Sequence, residues 1–101
     1  PEPLAPAEAS AQPRASTRQN ERTLRDAQKR LNTTEREVGR LEARLNDVSD
    51  EMTRAGIDQD MDAVTRLGAE YARLEAQLEA AYAAWSGATA ALDAIHSVAA
   101  Q

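Results

Sequence analysis

The sequence predicts an all-α protein, a two-helix antiparallel coiled-coil hairpin that follows a disordered N-terminal linker. Three observations predict it: two stretches whose apolar residues alternate at steps of three and four, a short break between them, and four prolines confined to the first 13 residues. The alternating spacing keeps one stripe of a helix facing a partner helix. Because so narrow an apolar stripe is not stable alone in water, each helix requires the other.

Residues 1–15 are the predicted linker. Ala, Glu and Gln alternate there with Pro1, Pro3, Pro6 and Pro13, and no apolar period is present. We therefore expect an extended and mobile segment. The chain opens on Pro1 rather than Met, so we also expect it to be a fragment of a larger protein.

The predicted hairpin spans residues 16–97, and its first helix spans about 17–55, roughly 58 Å at 1.5 Å per residue. Ser16 and Gln19 fit a capping box at its start. The seam, meaning the apolar stripe that faces the partner helix, has ten members. They are Leu24, Ala27, Leu31, Thr34, Val38, Leu41, Leu45, Val48, Met52 and Ala55.

The predicted turn covers residues 56–59. Gly56 suits the left-handed position that ends many helices, and Ile57 suits the apolar contact of a Schellman-type stop. Asp58, Asp60 and Asp62 then surround the start of the second helix, where a carboxylate can cap free amides. This helix spans about 60–97, before a frayed tail at 98–101. Its seam is Val64, Leu67, Tyr71, Leu74, Leu78, Ala81, Trp85, Ala88, Leu92 and Ile95.

The composition argues against an enzyme. With 101 residues, no Cys, no Phe and 3% aromatic residues, the chain has little material for a buried catalytic pocket. We therefore predict no catalytic residue, no cofactor, no metal and no small-molecule substrate. No apolar run approaches the length of a membrane span, so we expect a cytoplasmic chain without a membrane partner.

Two possible metal or catalytic features are weak. The spacing of Asp58, Asp60 and Asp62 imitates the start of an EF-hand, but Ala63 and Ala69 stand where that loop needs Gly and Glu. Capping is therefore the favoured role of these aspartates. His96 is the only histidine, and it has no partner that would indicate metal binding or catalysis.

Charge is distributed unevenly along the chain. The net charge is −5, yet Arg14–Arg44 carries nine basic and five acidic residues, whereas three basic residues face ten acidic ones from Leu45 onward. Six cations fall on the predicted outer face of the first helix and form a basic stripe that could contact phosphates. These candidate nucleic-acid-binding residues are Arg18, Arg22, Arg25, Lys29, Arg36 and Arg40.

The residues alone leave two alternatives open. The stripe could be a solvated coiled-coil face with pairs such as Glu21 with Arg25, as in a protein-interaction or spacer hairpin that binds no nucleic acid. Tyr82 and Trp85 could be a docking point for a protein, but we favour a plug that closes the open end of the hairpin near Leu24. Sequence-specific base recognition is not expected, because no aromatic or Asn/Gln cluster accompanies the stripe.

The second helix also resembles a known family. Its run from Asp62 to Trp85 contains Leu67, Glu70, Leu74, Glu75 and Leu78 and closes on Tyr82 and Trp85. This pattern resembles the last helix of the C-terminal coiled-coil domain of Uup-type ABC-F ATPases. The first helix is similar around Glu37, Leu41 and Leu45, and the resemblance covers about residues 18–88.

The resemblance implies an accessory domain that follows two ATPase cassettes of the same protein. It further implies contact with nucleic acid, either DNA or ribosomal RNA. ATP hydrolysis is not expected within these residues, because they contain no phosphate-binding G-x-x-x-x-G-K-[ST] motif.

Overall fold

The computed structural model describes residues 4–100, and the side chains of residues 16–98. It contains two helices, α1 (Leu4–Ile57) and α2 (Met61–Ala100), which pack against each other. The molecule is a rod of 87 × 19 × 14 Å. The predicted all-α hairpin is confirmed.

The predicted seams form the interface between the helices. All twenty seam residues are buried or half-buried, and the largest fully enclosed side chains are Leu41 and Val48, at 1% and 0% exposure. Thr34 is the one threonine in the seam, and its hydroxyl donates a hydrogen bond to the Leu31 carbonyl oxygen at 2.9 Å. Because its own helix satisfies it, this polar side chain needs no partner across the interface.

A Schellman motif closes the hairpin, three residues later than predicted. The left-handed residue is Gln59, with φ of 56°, and Gly56 has no positive φ. The amide of Asp60 donates to the Ala55 carbonyl at 2.9 Å, and the amide of Gln59 donates to the Gly56 carbonyl at 3.1 Å. The expectation for Ile57 is also wrong, since this side chain is 77% exposed and does not fold back onto the helix.

Asp60 caps α2, which confirms capping as the role of an aspartate at this point. Its carboxylate accepts a hydrogen bond from the Ala63 amide at 3.1 Å, three residues into the helix. The same residue donates its amide to the end of α1. Asp60 therefore fixes both helices at the turn.

The outer helix boundaries differ from those predicted. α1 begins at Leu4 rather than near residue 17, so Ser16 lies inside a helix and starts none. Ala, Glu and Gln have high helix propensity, and Pro6 lies in the first turn, where a missing amide removes no bond. Residues 1–3 lie outside the described part. α2 continues to Ala100, past the predicted end at residue 97.

Candidate nucleic-acid interface

Contacts across the hairpin give its register. Arg44 reaches Glu70 across the interface, Arg30 lies against Gly87, and Thr23 shares one cavity wall with Ala94. From Arg44 to Arg30 the contacts advance 14 residues on α1 and 17 on α2, and from Arg30 to Thr23 they advance 7 residues on both helices. This register places residues 23–44 of α1 opposite residues 70–94 of α2.

The basic stripe lies on the face of α1 that points away from α2. Arg18, Arg22, Arg25, Lys29, Arg36 and Arg40 are all exposed, as the seam register requires. Along the outward positions from Arg18 to Arg40 there is a single acidic residue, Asp26. The outward face of α1 is therefore predominantly cationic, within a chain whose net charge is negative.

Five of the six cations make no ion pair within the described part of the chain. Arg18, Arg22, Arg25, Lys29 and Arg36 make no salt bridge with any residue whose side chain is described. The i,i+4 pair of Glu21 with Arg25, which belongs to the alternative of a solvated coiled-coil face, is thus not formed. These guanidinium and ammonium groups can donate hydrogen bonds to phosphate without first breaking a bond within the protein.

Arg40 differs from the other five. Its Nη2 and Nε donate to the Glu37 carboxylate at 2.7 and 3.0 Å. This hydrogen bond, together with the charge of Arg40, lowers the pKa of Glu37, and the same contact raises the pKa of Arg40. The stripe available to phosphate therefore ends at Arg36, about 27 Å from Arg18.

Arg30 lies beside the basic stripe, on the flank of α1 that faces α2. It is exposed and makes no ion pair with a described side chain, and its Nη2 would lie 3.3 Å from a Cβ added at Gly87. The sequence feature that could have indicated Arg30 is its position next to Lys29, which places two cations on adjacent residues.

Arg44 has a structural role instead. Its Nη2 and Nε contact Glu70 Oε1 at 2.6 and 3.1 Å, and its Nη1 lies 3.7 Å from Glu51. The hydrogen bond from Arg44 to Glu70 is the largest cause of the raised pKa of the guanidinium. This charged contact joins the two helices beside the seam.

One flank of the hairpin is acidic. Glu35 and Glu42 on α1 and Glu75 and Glu79 on α2 are all exposed there. Tyr82 shares this flank, and its pKa is raised by partial burial and then by a hydrogen bond to Glu42 and the charge of that carboxylate. This flank would repel a polyanion, whereas the basic stripe would attract one. A polyanion would therefore contact the hairpin on the side of the stripe.

Trp85 does not plug the open end near Leu24. α2 continues past it, and Gly87 already lies at the level of Arg30, so Trp85 packs within the hairpin against the hydrophobic core. Its indole Nε1 is buried and has no hydrogen-bond partner among the described residues. Tyr82 is 40% exposed. His96 is an exposed residue of α2.

Comparison with known proteins decides the family. The model of one family, the ABC transporter C-terminal domain, matches residues 23–87, which is most of the hairpin. The chain belongs to this family. No curated protein and no solved structure matches the chain.

The matched segment covers the structural centre of this ABC transporter C-terminal domain. It contains the turn, the fully buried side chains of Leu41 and Val48 and the part of the stripe from Arg25 to Arg40. Neither described helix has a stretch apolar enough to cross a membrane. Among the described side chains, no three His, Asp or Glu residues converge to hold a metal ion.

Proposed function

We propose that this hairpin is a non-catalytic accessory domain of an ABC-F ATPase of the Uup type, in the cytoplasm, and that it binds nucleic acid without sequence preference. Its other partners would be the ATPase cassettes of the same protein. Family membership supports the accessory role, and the sequence pattern around Tyr82 and Trp85 supports the Uup type. DNA and ribosomal RNA both present the phosphates that this proposal requires.

The observation that carries the proposal is the set of five unpaired cations on one face of α1. They extend over roughly 27 Å, the length of about eight base-pair steps. A straight cationic helix without exposed aromatic residues beside it suits the phosphates of a duplex better than unstacked bases. We expect weak, sequence-independent affinity that falls steeply with salt.

A stripe variant with a matched control tests this proposal. Arg22→Gln, Arg25→Gln and Lys29→Gln together remove three charges from the stripe, whereas Arg54→Gln, Arg66→Gln and Arg73→Gln remove three exposed charges elsewhere. In fluorescence anisotropy with a labelled duplex, the stripe variant should bind at least tenfold more weakly than the control variant. Both variants should retain helicity, because all six positions lie outside the seam.

The second candidate function is a protein-interaction or spacer hairpin that binds no nucleic acid. The net charge of −5 and the acidic flank favour it. Equal affinities of the two triple variants for DNA and RNA duplexes would support this candidate and reject the stripe as a binding site.

A further inference from the structure

The tip of the hairpin exposes two large apolar side chains. Ile57 is 77% exposed and Met61 is 65% exposed, and they lie on either side of the turn. The other large hydrophobic residues exposed among the described side chains are Tyr82 and Val98, which are separated from the tip along the rod. Exposed apolar groups held together on a surface are typical of interaction sites.

The backbone holds this tip in one conformation. Backbone hydrogen bonds from Asp58, Gln59 and Asp60 close the end of α1, and the Asp60 carboxylate caps α2. In a Schellman motif an apolar residue often follows the left-handed residue and packs back on the helix. Asp60 occupies that position here, so neither Ile57 nor Met61 is used to stabilise the turn.

The tip is also strongly acidic. Residues 50–62 contain five carboxylates, at Asp50, Glu51, Asp58, Asp60 and Asp62, against one guanidinium, at Arg54, a net charge of −4. The side chains of Asp58 and Asp62 make no hydrogen bond or ion pair with a described residue. Two free carboxylates therefore flank the two exposed apolar side chains.

We propose that this acidic tip docks onto a protein surface in which basic side chains surround an apolar pocket. The charge decides among occupants: nucleic acid and anionic lipid would be repelled, and two tips would repel each other. A basic protein surface would gain ion pairs with Asp58 and Asp62 and would bury Ile57 and Met61. This site is independent of the basic stripe, which lies farther along α1.

A synthetic helical peptide of lysine and leucine, with one basic and one apolar face, is a suitable probe. Amide chemical shifts of the 101-residue chain should change on titration mainly within residues 56–63. Ile57→Ser with Met61→Ser should weaken binding of the labelled peptide about tenfold, since the apolar contact is lost. Asp58→Asn with Asp62→Asn should also weaken it and reduce its dependence on salt.

Val98→Ser is the matched control, because it removes an equally exposed apolar side chain at the other end of the rod. It should leave peptide binding unchanged. Shift changes along the acidic flank at Glu35, Glu42 and Glu75, or equal affinity in the tip variants and the control, would overturn the proposal. So would sedimentation showing a dimer of the chain that the tip variants convert to monomer, because the occupant would then be a second copy.

Discussion

Gln59 is the residue whose backbone departs most clearly from expectation. A side chain in the left-handed region is strained relative to glycine, and Gln59 occupies this region while Gly56 is helical. The Schellman motif could be predicted from the sequence, but its position could not. Because glycine favours the left-handed region, Gly56 was predicted to occupy it. The backbone hydrogen bonds and the Asp60 cap instead place the left-handed residue three positions later.

Exchanging glycine between these two positions tests the turn. Gln59→Gly should raise the free energy of unfolding by roughly 0.5–1 kcal/mol, since it relieves the left-handed strain. Gly56→Ala should raise it by a similar amount, roughly 0.5–1 kcal/mol, because the site is helical and no atom lies within 4 Å of the added Cβ. Urea unfolding followed by circular dichroism measures both. If Gly56→Ala destabilised the protein instead, Gly56 rather than Gln59 would be the residue in the left-handed conformation.

The raised pKa of Tyr82 gives a second test at this scale. Glu42→Gln should lower that pKa by removing a nearby negative charge, while partial burial keeps it above its ordinary value. Phenolate absorbance in a Tyr71→Phe background isolates the titration. Because the folded state holds this proton more tightly than the unfolded chain, its contribution to stability is present below about pH 10 and declines at higher pH. An unchanged pKa of Tyr82 in the Glu42→Gln variant would show that Glu42 does not interact with Tyr82.

The two helices depend on a seam that the sequence could predict almost completely. The three-and-four spacing assigned all twenty seam residues correctly, because burial in a coiled coil follows periodicity. Helix ends were less predictable. α1 extends back to Leu4 and α2 on to Ala100, whereas the prolines and Ser16 indicated a later start for α1.

Burial along the seam predicts unequal contributions to stability. Leu41→Ala should lower the free energy of unfolding by about 2–5 kcal/mol, because this side chain is fully enclosed and the truncation leaves a cavity. Leu24→Ala should lower it by less, since Leu24 is only half-buried near the open end. Thermal unfolding of both variants gives the comparison. Equal losses of unfolding free energy in the two variants would contradict the conclusion that the core lies away from the open end.

At the scale of the whole molecule, charge divides the surface of the rod into distinct regions. The basic stripe, the acidic flank and the acidic tip occupy different surfaces, and the net charge of −5 conceals this arrangement. The six stripe residues could be chosen from the sequence because outward heptad positions follow from the seam. The pairing of Arg40 with Glu37 and the free state of Arg30 could not, since both depend on side-chain conformation.

The salt dependence of duplex binding tests the central claim most directly. If the five unpaired cations each neutralise a phosphate, the logarithm of the affinity should fall with the logarithm of salt with a slope of about −4.5. The variant Arg22→Gln, Arg25→Gln and Lys29→Gln should reduce this slope to about −2, and the control variant Arg54→Gln, Arg66→Gln and Arg73→Gln should keep it. A slope near zero for the unmodified chain, or the same slope in both variants, would contradict the account.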